Sequence, residues 1–109
     1  MADEKDSKLE KQVSDFIIKK IALNSEQQAI LERKGREASM IADLNFDSLD
    51  AIDVVMDFEL AYEIKIPDEA SEKFVNLGNV IDYIKANGYE SSKHEQYEKR
   101  LTELSKAKV

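Results

Sequence analysis

The sequence predicts an all-α fold, a small four-helix bundle with a long loop after helix 1 and a C-terminal extension. Apolar residues recur at helical spacing in three segments, Leu9 to Ile21, Leu49 to Tyr62 and Leu77 to Ile84. Residues that start and stop helices punctuate these segments, and no period-two run of strand length stands out. A chain of 109 residues fits one domain that buries roughly 60–70% of its unfolded surface. Residues 1–88 are expected to carry that domain, with residues 1–6 disordered, and residues 89–109 to form the extension.

In helix 1, Leu9, Val13, Phe16, Ile17 and Ile21 share a face, Asp6 or Ser7 can cap it, and the helix should end near Leu23. Ser25-x-x-Gln28 resembles a capping box for a short helix through Ala29, Ile30 and Leu31 that Gly35 terminates. A long loop follows to Asp47. Loops of this length pack by their own side chains, and Met40, Ile41 and Leu44 are the expected anchors.

Helix 2 runs from Ser48 to about Ala61. Leu49, Ile52 and Met56 form one apolar stripe, while Val54, Phe58 and Tyr62 form a second on a different face. One stripe can meet the core and the other a partner. Pro67 favours an extended residue before it, so a new unit begins there, with a short helical turn over Glu69 to Phe74. Asn76 can cap a last core helix with Leu77, Val80, Ile81 and Ile84 inward, closed by Asn87-Gly88. Beyond it, Tyr97, Leu101 and Leu104 have helical spacing among charged residues, which fits either a marginal fifth helix or a frayed, solvated tail.

The formal net charge of −7 argues against nucleic-acid backbones and anionic membrane surfaces as main partners and favours basic proteins. There is no cysteine, so disulfides and thiolate chemistry are excluded. No run approaches the roughly 18 apolar residues of a membrane span. A cytoplasmic, monomeric protein is expected.

The most informative feature is Asp47-Ser48-Leu49 at the start of helix 2. Asp47 or Ser48 can cap the first turn, whose free N–H groups favour an anion. Asp50, Asp53, Asp57 and Glu59 follow, with no Lys or Arg from Leu44 until Lys65. At physiological salt their field extends about 8 Å and can orient a basic protein. The bland alternative is a surface helix with an ordinary serine cap.

The string Ala38-Ser39-Met40-Ile41-Ala42-Asp43-Leu44-Asn45-Phe46-Asp47-Ser48-Leu49-Asp50, followed by Ile64-Lys65-Ile66-Pro67-Asp68-Glu69, resembles the acyl carrier protein family. The resemblance spans helix 1 to about Ala86. It implies an acyl-carrier type of bundle in which Ser48, flanked by Asp47 and Leu49, holds a 4'-phosphopantetheine arm added by a phosphopantetheinyl transferase. The arm's thiol would carry acyl groups as thioesters for fatty-acid or lipid synthesis enzymes with basic docking patches. The same resemblance makes helix 2 the recognition helix, through Leu49, Asp50, Ile52, Asp53, Met56 and Glu59, with Asp57 among its acids. It also implies that an acyl chain tucks between the helices, for which Val54, Val55, Phe58, Ile66, Leu77, Ile81 and Ile84 are the candidate lining residues.

Three departures from the family pattern stand out. Asn45 occupies a glycine position and can supply the left-handed backbone there. Phe46 is a bulky neighbour of Ser48, suited to loop packing or to contact with the arm. Leu60 replaces a common acid. The long tail and the extra residues around Arg33-Lys34-Gly35 suggest a specialised carrier.

Other chemistries fit less well. The only histidine, His94, lies in the polar tail and reads as a surface side chain, so no base is placed for a serine nucleophile and no enzymatic activity is expected. Asp43, Asn45 and Asp47 match the first positions of a calcium loop, but Ser48 and Val54 stand where it needs Gly and Glu, so no metal site is expected. An unmodified helical interaction module, or a carrier for a polyketide or peptide pathway, remain the alternatives to a fatty-acyl carrier.

Overall fold

A computed structural model describes residues 4–106. Six α-helices follow one another: α1 Glu4–Ile21, α2 Ser25–Lys34, α3 Ser48–Tyr62, α4 Asp68–Ser71, α5 Leu77–Asn87 and α6 His94–Lys106. Short 3-10 turns occupy Gly35–Glu37 and Ser91–Lys93. There is no strand among the described residues beyond an isolated bridge between Ser39 and Asn76. The all-α class and the bundle architecture therefore hold.

The core forms where the apolar stripes meet. Leu9, Val13, Phe16 and Ile17 of α1, Val54, Phe58, Ala61 and Tyr62 of α3, and Leu77, Val80, Ile81 and Ile84 of α5 are all buried. The rings of Phe16 and Phe58 lie 5.4 Å apart and tilted, a geometry aromatic pairs favour.

Local chemistry sets the helix ends. Asn24, rather than Ser25, caps α2: its side chain accepts from Gln27 N at 2.8 Å while Gln27 Oε1 accepts from Asn24 N at 3.0 Å. The box predicted at Ser25 and Gln28 is thus shifted by one residue, because Asn24 and Gln27 satisfy each other's backbone reciprocally. Gly35 ends α2 at a φ of +55°, which glycine adopts without steric cost. Asn76 and Asn79 box the start of α5. At its end, a Cβ on Gly88 would overlap Ile64 Cγ2, so only glycine fits there.

The N-terminus differs from expectation as well. Helix α1 already includes Glu4, so Asp6 and Ser7 lie inside it and do not cap it. The expected disorder of residues 1–6 falls in part on residues 1–3, which lie outside the described residues.

Of the two forms expected for the C-terminal extension, the helical one is found. It forms a 13-residue helix that packs on α1 and α3 and buries Tyr97 and Leu101. The Tyr97 ring sits 4.7 Å from Tyr62 and 5.6 Å from Tyr89. A polar network stitches the same seam. Gln12 Oε1 accepts from the Tyr62 hydroxyl at 2.8 Å, and Gln12 Nε2 donates to the His94 carbonyl and to Glu98 Oε1, each at 3.1 Å. Burial pushes the Tyr62 hydroxyl well above its ordinary range, so it stays a donor. His94 is not the surface side chain expected from sequence: it is half-buried, with Nδ1 2.9 Å from Tyr89 Oη. Arg100 donates to the Ala61 carbonyl at 2.8 Å and pairs with Glu63 at 3.2 Å, closing the C-terminal end of α3.

Lys20 joins three helices. Its Nζ lies 3.0 Å from Asp57 Oδ2 and donates to the Leu104 carbonyl at 3.2 Å. Both charged side chains are nearly enclosed, at 9% and 11% exposed. Burial raises the Asp57 carboxyl above its usual value, and Lys20 opposes that shift.

Leu101→Ala should lower the unfolding free energy by roughly 2–5 kcal/mol in urea titration, as for other buried leucines. A solvated tail would register almost no change.

Removing Lys20's charge should have a pH signature. The folded state binds the Asp57 proton more tightly than the unfolded state does, so this group's contribution to stability falls as pH rises through the folded value. Lys20→Met is expected to cost about 3 kcal/mol near neutral pH, where an ionised Asp57 is left unpaired. Part of that loss should return, relative to the parent chain, on acidification to about pH 5. Adding Asp57→Leu should restore most of it at neutral pH.

Candidate functional site at the start of α3

The segment before α3 is a loop that folds on itself. Met40 and Leu44 are buried and anchor it, whereas Ile41, expected to do the same, is 75% exposed. The turn closes through Asn45 N donating to Ile41 O and Phe46 N to Met40 O; Met40 and Leu44 point inward, and Ile41 and Ala42 between them face solvent. Asp43 Oδ2 accepts from Ser39 N at 2.8 Å and lies 3.1 Å from Lys34 Nζ. These contacts, the Ser39 N–H first, hold its carboxyl below the usual range. Asn45 sits at a φ of +57°, the left-handed conformation foreseen for it. Phe46 is buried in the loop and also borders the cleft beside α3.

This loop delivers Asp47 to the N-cap of α3. Asp47 Oδ1 accepts from Asp50 N at 2.8 Å, and Asp50 Oδ2 accepts from Asp47 N at 3.1 Å. Ser48 is then the first residue of the helix and is exposed. The three polar residues of the calcium-loop match each have separate work: Asp43 braces the loop, Asn45 makes the turn and Asp47 caps the helix.

Helix α3 presents distinct faces, as 3.6-residue periodicity requires. Val54, Phe58 and Tyr62 point into the core. Leu49, Ile52 and Met56 point to solvent, between 54% and 69% exposed. Ser48, Ile52, Val55 and Glu59 are four, three and four residues apart, and all line a cleft of about 560 Å³ beside the helix. The cleft is walled by Met40, Phe46, Val54, Phe58, Ile66, Phe74 and Val80, so a group attached at Ser48 stands at the edge of an apolar recess.

The acidic residues of α3 do not form one uniform face. Asp53 is exposed and Asp50 is half-buried within the capping box. Glu59 is half-buried and accepts from Ile66 N at 2.8 Å, fixing the approach to α4. Asp57, grouped from sequence with the solvated acids, is only 8% exposed. The flank of α3 that carries it is covered by α1 and α6, and Lys20 neutralises it there.

Of the seven lining residues expected, Val54, Val55, Phe58 and Ile66 border the cleft, while Leu77, Ile81 and Ile84 do not. From α5 only Val80 reaches it; the other three are buried elsewhere in the core. Ala51, Ser71, Glu72 and Phe74 border it without having been foreseen. For Ala51 a signal existed, since it lies three residues from Ser48 and its small side chain leaves room. Ser71 to Phe74 carry no comparable signal, because their placement depends on how α4 folds back.

An acyl carrier protein of Porphyromonas gingivalis is 38% identical over 81 residues, covering 74% of this chain and 96% of that protein. One of Helicobacter pylori is 47% identical over 51 residues, 47% of this chain and 65% of its own length. No family model matches the chain. A relative matched along nearly its whole length, together with the helical bundle and the exposed serine opening α3, leads to one assignment: this chain belongs to the acyl carrier protein family.

Proposed function

We propose that Ser48 Oγ carries a 4'-phosphopantetheine arm in phosphodiester linkage and that the chain presents acyl groups, held as thioesters, to enzymes of fatty-acid or lipid synthesis. The observation that carries this reading is the exposed hydroxyl at the first position of α3, beside an apolar cleft. The bound arm supplies a terminal thiol, the atom on which cargo rides. The chain's own residues do the rest. The N-terminal end of α3 favours the phosphate through its helix dipole and free N–H groups. Phe46, Val55 and Ile66 offer apolar surface that shields cargo from water. Leu49, Ile52 and Met56, flanked by Asp50 and Asp53, form the face that docks a basic, partly apolar patch, and Ser48 lies at the end of that face.

No described helix is long and apolar enough to cross a membrane. We place the chain in the cytoplasm as a monomer, with a phosphopantetheinyl transferase as its first partner.

Incubation with a phosphopantetheinyl transferase and coenzyme A should add one arm to the intact mass of the chain, and Ser48→Ala should gain nothing. A parent chain that stays at its original mass would instead be an unmodified interaction module. Asp53→Lys should slow arm transfer several-fold at low salt, with the deficit shrinking as salt shortens the Debye length to about 3 Å near 1 M. Asp50 is a poorer probe of steering, because a lysine there also breaks the capping box.

A further inference from the structure

Leu60 lies outside the buried core. It is 63% exposed on α3, yet it falls in register with Leu49, Ile52 and Met56, at spacings of three, four and four residues. Isolated exposed leucines are ordinary on protein surfaces. Four large apolar side chains in one exposed row along one helix are not isolated, and the row continues past the residues that accompany the serine. Ile41, 75% exposed, shares the lip of the cleft with Ile52 and Met56 and widens the same surface.

The charges beside this row change along its length. Near Ser48, Asp53 projects freely and Asp50 is half-exposed. In the second half of the helix each acid is engaged, Asp57 buried against Lys20 and Glu59 holding Ile66 N, and just past its end Glu63 pairs with Arg100. The first half of α3 therefore offers negative potential with apolar contact, and the second half offers apolar contact almost alone.

We infer that Leu60 is the far anchor of the docking face, so that partner enzymes meet α3 with cationic side chains opposite Asp50 and Asp53 and with an uncharged apolar pocket opposite Met56 and Leu60. This rests on the proposed reading that enzymes approach α3 to reach Ser48. Leu60 lies about 18 Å along the helix from Ser48, at 1.5 Å per residue. A standard footprint of roughly 800 Å² is about 30 Å across, so one partner can cover both ends. A partner built to meet an acid at this position would leave a cation facing Leu60 without a counter-charge, and that mismatch makes Leu60 a selector among partners.

The test uses the unmodified full chain and a phosphopantetheinyl transferase in titration calorimetry at low and at high salt, with helix content checked by circular dichroism. Leu60→Ala should weaken binding by about five- to tenfold, as truncation of an apolar anchor does, and by the same factor at both salts. Asp53→Lys should weaken it chiefly at low salt. Unchanged affinity for a folded Leu60→Ala overturns the inference, as does an effect that vanishes at high salt or a parent chain that does not bind. Intact mass after loading is read separately. A parent that binds through Leu60 but never gains the arm defeats the carrier reading and leaves this anchor standing, whereas a parent that loads normally with Leu60→Ala binding unchanged does the reverse.

Discussion

Burial of Val54, Phe58 and Tyr62 fixes the rotation of α3 about its own axis, and every property of the site follows from that rotation. With this stripe held against Phe16 and Tyr97, turning the helix would expose aromatic surface and bury acids, each at a cost of kilocalories. The outward row, the cleft-facing row that begins at Ser48 and the shielded flank at Asp57 are geometric consequences of one packed face. The serine is exposed because the core holds the other side of its helix.

The C-terminal helix enforces the same constraint from behind. Its tyrosine contacts bury apolar rings, while Gln12 satisfies the Tyr62 hydroxyl, the His94 carbonyl and Glu98 together. Such a fully bonded polar cluster specifies one register of α6 on α1, because slipping it would orphan several buried groups. The Lys20–Asp57 pair acts similarly: its net contribution to stability is modest, but its geometry admits only one placement of α3.

Much of this was legible in the residues. The two stripes of α3 were separable by spacing alone, the cap was narrowed to Asp47 or Ser48, and the left-handed turn at Asn45 followed from the glycine position that the family resemblance implies and from what asparagine tolerates. What escaped depends on contacts distant in sequence. Asp57 reads as one more surface acid until α6 covers it, and the helical spacing of Tyr97 and Leu101 is visible in the residues while the rings that Tyr97 packs against, Tyr62 and Tyr89, are not. Ile41 looks like an anchor because its neighbours Met40 and Leu44 are anchors; the sharp turn that closes on it is what reverses its direction. Leu77, Ile81 and Ile84 share an apolar helix with Val80, and only packing decides which of them borders the cleft. The shift of the α2 cap to Asn24 shows the same limit at short range, where two adjacent residues are both competent and reciprocity with Gln27 selects one.

The contact of Arg100 with the end of α3 has a mechanical consequence. Helix ends fray because their last carbonyls lack partners. Here the front of the rod is clasped by two aspartates and its rear by a guanidinium from another helix, so neither terminus needs a visitor to become ordered. A protein that lands on this surface loses little entropy to stiffening it, and more of the interaction free energy remains for discrimination between one visitor and the next.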